Sequence, residues 1–183
     1  MSGDSQPVAD RNVDGAILGM MFVWLGFTLS LAIMILTMIG VVLFSLDSPI
    51  IDLPELGYLL LLTVPIGLLG AILLAPKLAP KDPADVVRKA ESISQYPAWQ
   101  GTTEADPYYW LPLYQSQYFI RMGILEGAGA TCTVGFLLTS DYLVLGGALI
   151  MLAVLMTQMP TRAKFDDWVA KAREQRDLAR LSE

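Results

Sequence analysis

The sequence predicts an all-α integral membrane protein of four transmembrane helices, arranged as two hairpins and joined by short amphipathic helices on the cytoplasmic side. Three observations carry this prediction. With 54% hydrophobic and 16% charged residues, the chain is more apolar and less charged than a soluble domain, where those shares run near ~45–50% and ~25%. Four apolar stretches are long enough to approach or exceed a bilayer core. All 12 basic residues fall in segments that alternate with loops holding only acids.

The expected order is a cytoplasmic tail (1–14), a first transmembrane hairpin (15–76), a cytoplasmic and interfacial segment (77–118), a second hairpin (119–159) and a cytoplasmic amphipathic helix (160–183). Gly15 to Leu46 is 32 residues without a charge, against roughly 20 needed to span. The run is too long for a cleaved leader, and Asp4, Asp10 and Asp14 outnumber Arg11 ahead of it. The second span, Leu56 to Pro76, opens after Pro54 and carries Pro65 in its interior, where a missing backbone donor should kink it. The third runs from Phe119 to about Leu138. The fourth, Tyr142 to Met159, follows after Thr139, Ser140 and Asp141 alone, so the two helices should lie antiparallel and adjacent.

Lys and Arg accumulate on the cytoplasmic side of short loops. Here the loop with Asp47, Asp52 and Glu55 and the turn with Asp141 hold no base. Both are therefore expected outside, with both termini and the central segment in the cytoplasm of a bacterial inner membrane.

In the central segment, Asp82-Pro83 followed by Asp85 reads as the start of a helix reaching about Ser94. Trp99, Tyr108, Tyr109, Trp110, Tyr114 and Tyr118 then read as an interfacial aromatic belt, to which Trp168 also belongs. After Pro160, Thr161 is placed to cap a helix with Phe165, Trp168, Val169 and Ala172 on one face. That helix is expected on the membrane surface, against the helix starting at Asp85, or on another protein. Pro83-Ala-Asp-Val-Val-Arg-Lys-Ala and Phe165-Asp-Asp-Trp-Val-Ala-Lys-Ala form a faint parallel repeat.

The chain has no histidine, and its single cysteine, Cys132, lies in an apolar run. Triad, haem and zinc chemistry lack their usual ligands. No cofactor, metal or enzymatic activity is expected, and the aromatic segment lacks the basic groove that nucleic acid would need. The one acid well inside a span is Glu126, roughly 7 Å deeper than Arg121 at ~1.5 Å per residue. Five residues apart, the two side chains point about 140° from one another. Arg162, Lys164, open carbonyls or water are the other candidate partners. Gly123, Gly127, Thr131 and Gly135 repeat every fourth residue, a spacing that suits close helix packing, and Gly15 and Gly19 begin a weaker stripe.

The stretch Phe119-Ile-Arg-Met-Gly-Ile-Leu-Glu-Gly-Ala, the turn Phe136-Leu-Leu-Thr-Ser-Asp and the exit Met159-Pro-Thr-Arg resemble a bacterial four-span membrane family with no established activity. Its pattern is an I-R-x-A-L-x-E-G helix, an L-L-T-G-N turn and a P-T-(K/R) exit. Met122 to Ile124 and Ser140-Asp141 depart from it. The likeness covers about Tyr118 to Trp168, and the first hairpin loosely. A two-helix unit with a membrane carboxylate is also similar in outline to the proton-carrying subunit of rotary ATP synthases. There the carboxylate lies near mid-bilayer after a cytoplasmic loop, whereas Glu126 is shallow and its turn is outside.

The expected role is a non-enzymatic structural or accessory subunit, in contact with membrane lipids and assembled as a homo-oligomer or with other membrane proteins. The alternative is a small proton- or ion-translocating protein using Glu126.

Overall fold

The computed structural model describes residues 8–45, 48–51, 54–79 and 106–181, and these are helical apart from short connections. In chain order they form α1 (Val8–Ser45), α2 (Pro54–Leu61), α3 (Thr63–Leu73), α4 (Ala75–Leu78), α5 (Pro107–Thr139), α6 (Tyr142–Thr157) and α7 (Arg162–Leu181). Three stretches are long and apolar enough to cross a membrane: Val13–Ser45, Glu55–Leu73 and Tyr109–Thr139. A fourth is counted if α6 and α7 are taken as one broken span. Alone, the 16 residues of α6 reach only ~24 Å at ~1.5 Å each.

The expected kink in the second span appears one turn before Pro65. Pro65 has no N–H for the Leu61 carbonyl, and the chain tightens at Leu62, whose N–H bonds Leu59 O at 3.2 Å. Thr63 Oγ1 donates to Leu60 O at 2.6 Å, satisfying a carbonyl at the break. A second break at Leu74 precedes Pro76 for the same reason.

The third helix begins twelve residues before the expected Phe119, at Pro107. Its start follows the Asp-Pro rule read at Asp82-Pro83: Pro107 loses no bond at the first helical position, and the Tyr109 N–H meets Asp106 O at 3.1 Å. Pro112 lies inside the helix without ending it. The helix expected at Asp85 to Ser94, Trp99 and the side chain of Tyr108 lie outside the described residues.

The chain divides into two compact units, residues 1–22, 79–117 and 160–183 in the first and 23–78 and 118–159 in the second. In the first, Val13, Ile17, Met20, Trp110, Leu113, Tyr114, Phe165 and Val169 are buried. The Tyr114 ring meets Phe165 edge-on at 5.3 Å and Trp168 at 5.5 Å, and Trp168 Nε1 donates to Gln117 Oε1 at 3.0 Å. Thr161 caps α7 as its position suggests, accepting from the Lys164 N–H at 3.3 Å. The apolar face of α7 is thus covered by the first turns of α5, a partner not among those the sequence suggested.

The second unit is zipped by small residues. A methyl on Gly129 would stand 3.2 Å from Met151 Cβ, one on Gly147 3.3 Å from Cys132 Sγ, and one on Gly135 3.1 Å from Val144. As one index rises the other falls, so α5 and α6 run antiparallel. Gly135 with Leu60, and Gly67 with Ala128, give the same antiparallel register for the second span against α5. Between α5 and α6, Ser140 takes φ 52°, and Asp141 Oδ1 caps α6 from the Leu143 N–H at 2.8 Å. Trp24 Nε1 ties α1 to α6 through Leu155 O at 2.8 Å.

Candidate functional site

Glu126 sits on α5 within the apolar stretch, half-buried, and makes no hydrogen bond or ion pair among the described residues. It lines an open groove of about 360 Å³ together with Val23, Gly26, Phe27 and Ser30 of α1. An i to i+4 step from Gly26 to Ser30 places both on one side of α1, and both are exposed. Methyl groups on Gly26, Gly123 or Gly127 would meet nothing within 4 Å.

The four-residue stripe on α5 therefore divides. Gly123, Gly127 and Thr131 are exposed, whereas Gly135 is buried against Leu60 and Val144. Thr131 Oγ1 is turned back to its own helix, donating to Gly127 O at 2.8 Å. The cause is geometric: each four-residue step advances 400°, about 40° beyond a full turn, so three steps carry Gly135 about 120° around from Gly123. Gly15 and Gly19 are also exposed with open space above them.

Apart from Gly135, the glycines that seat helices inside the chain are others. Gly57, Gly67, Gly129 and Gly147 all have close neighbours on a second helix or its cap. Their signal in the sequence is the recurrence of small residues at Gly67, Ala71 and Ala75 and at Gly147 and Ala148, where apolar runs conceal it.

The basic residues expected near Glu126 are engaged elsewhere. Arg121 Nε donates to Ala71 O at 3.3 Å. Arg162 bridges Asp14 at 3.1 Å and Asp166 at 2.9 Å, and its guanidinium lies 6.0 Å from the Phe165 ring centre. Lys164 is exposed, with its backbone N–H on the Thr161 cap.

Of the aromatics expected at the interface, Trp110 and Tyr114 are buried inside the first unit. Tyr109 packs edge-on to Trp110 at 5.7 Å, Arg176 covers the Trp110 ring at 5.7 Å, and Trp168 is half-buried. Trp110 and Tyr114 thus pack inside the first unit. Cys132 is a buried free thiol 3.2 Å from Thr63 Oγ1. Among the described residues no three His, Cys, Asp or Glu side chains come together.

A helix pair with a carboxylate in a small-residue groove is chemically equipped to receive another helix, or to hold and release a proton. No protein-family model matches the sequence, and no curated protein or solved structure matches it either.

Proposed function

We propose that the chain is a non-enzymatic, multi-pass protein of the bacterial inner membrane, acting as a structural or accessory subunit that receives a transmembrane helix of another chain on its α1/α5 face. One observation carries the reading. Gly26, Gly123 and Gly127 leave open space beside a Glu126 that has no partner among the described residues, while the internal contacts are made through other glycines. A helix backbone approaches most closely where no Cβ intervenes, and an acid at such depth calls for a partner.

The distribution of Lys and Arg supports placing both termini inside. The test of the reading is Gly127→Leu in native membranes. Because nothing lies within 4 Å of a Cβ at Gly127, the variant should fold and melt like the parent chain but lose association with other membrane proteins, read by the size of the complex extracted from native membranes. Unchanged association sinks the proposal.

That Glu126 has no partner among the described residues also favours a proton pathway as a second reading. Against it, Thr131 and Thr133 spend their hydroxyls on Gly127 O and Gly129 O, at 2.8 and 2.9 Å, and do not continue a polar path. Loss of pH-driven flux in Glu126→Gln, with assembly intact, would favour this second reading.

A further inference from the structure

We infer that the broken end of the second span holds the phosphate of an anionic phospholipid, bound by the Arg121 guanidinium with Lys77 beyond the break. The inference takes only the membrane placement from the proposed function and is independent of docking on the α1/α5 face. It starts from the break at Leu74. The ladder of α3 closes with the Leu74 N–H on Gly70 O at 2.8 Å and resumes with the Leu78 N–H on Leu74 O at 2.8 Å. Pro76 brings no N–H to Ile72 O, so the last carbonyls of α3 form an open helix end, where a cation is favoured. Arg121 of α5 supplies that cation, donating through Nε to Ala71 O at 3.3 Å.

That contact leaves the far end of the guanidinium open. Arg121 is half-buried, and its Nη1 and Nη2 make no hydrogen bond or ion pair among the described residues. Lys77, on the turn that restarts after the break, is exposed and likewise has no side-chain partner among them. In the second unit Asp47, Asp52 and Glu55 lie before the second span or at its start, and Asp141 lies beyond the end of α5. Glu126 stands about 7.5 Å further along α5 and about 140° around it. The pair of bases therefore lacks an acid and matches a phosphate, which the two Nη groups are shaped to hold in parallel. Depth and apolarity point to a lipid. Ala71 is two residues inside Leu73, the last residue of the apolar span, so the guanidinium lies about 3 Å inside its end, where a long cationic side chain reaches up to the headgroups. Leu73, Leu74 and Leu78 are exposed on the same stretch. A soluble anion would leave these leucines uncovered, whereas a phospholipid places its phosphate on the guanidinium and its acyl chains on them.

The test offers the full-length protein in detergent an equal mixture of phosphatidylglycerol and phosphatidylcholine, and quantifies the lipid retained on it by mass spectrometry. Phosphatidylglycerol should be retained about tenfold over phosphatidylcholine, the range of one charge-assisted contact. Arg121→Gln should abolish the preference, and Lys77→Gln should reduce it to about threefold. Lys171→Gln, at an exposed base on α7, should leave it at tenfold. Arg121→Gln also loses the bond to Ala71 O, so its melting point should fall. Lys77→Gln breaks no side-chain contact and should melt like the parent, so it tests the preference in an unaltered fold. Equal retention of the two lipids, a preference that survives Arg121→Gln or is untouched by Lys77→Gln, or an equal loss in Lys171→Gln overturns the inference. Displacement of phosphatidylglycerol by excess inorganic phosphate also overturns it, because the occupant would then be a soluble anion. Failure of the protein to float with vesicles of either lipid refutes the membrane placement as well, whereas flotation without a preference refutes this inference alone.

Discussion

A methyl group added at Gly67 would stand 2.5 Å from Ala128 Cβ, while one added at Gly127 would meet nothing within 4 Å. The same residue type thus holds this chain together at one position and leaves a surface open at another. Gly67→Ala forces α3 away from α5 at a contact between two backbone-anchored groups, and should cost ~1–3 kcal/mol as overpacking does. Gly127→Ala adds no clash and gains helix propensity, up to about 1 kcal/mol. Thermal unfolding in one detergent should therefore lower the midpoint of the first variant and hold or raise that of the second. Equal destabilisation would mean that Gly127 has an internal neighbour after all. Spacing by fours predicted a common face for Gly123, Gly127, Thr131 and Gly135, but the 40° drift per step turns the last of them inward. What an alternating four could not reveal is which side of α5 the other helices occupy, since that depends on Leu31, Leu60 and Met151 from three other elements.

At the level of elements, the helices were legible wherever charge or capping marks their ends. The apolar runs of α1, of the second span and of α6 mark themselves, and Thr161 marks α7. The early start of α5 has a signal too, in Asp106-Pro107, but the aromatic run read as an interfacial belt ahead of the span. The structure resolves the conflict through packing: Trp110 and Tyr114 are buried with Phe165 and Val169, so the rings stabilise the first turns of α5. Burial of Phe165 is complete. Phe165→Ala should remove ~3–5 kcal/mol from that core and free α7, making the C-terminal helix sensitive to limited proteolysis while the second unit stays resistant. A protease pattern identical to the parent's would refute this role. Arg162→Ala should have a much smaller effect, because its partner Asp14 is 68% exposed and such pairs contribute ~0–1 kcal/mol.

For the whole molecule, two sequence properties act together: helices apolar enough to reside in a membrane, and a charge pattern with every base on one set of segments. Reporter fusions after Leu181 and near Arg88 should give cytoplasmic signals and one after Asp141 a periplasmic signal; a periplasmic signal near Arg88 would reverse the proposed topology. Large apolar side chains such as Leu36, Leu59, Ile66 and Leu69 are exposed on the apolar helices, and on the α1/α5 face small residues and an acid replace them. The most direct measurement is photo-crosslinking in native membranes with a photoreactive residue at position 127, compared with one at position 69, whose leucine is 56% exposed. A docking face predicts a discrete protein adduct at 127 that Gly123→Leu removes, with lipid adducts alone at 69. Lipid adducts alone at both positions would contradict the account.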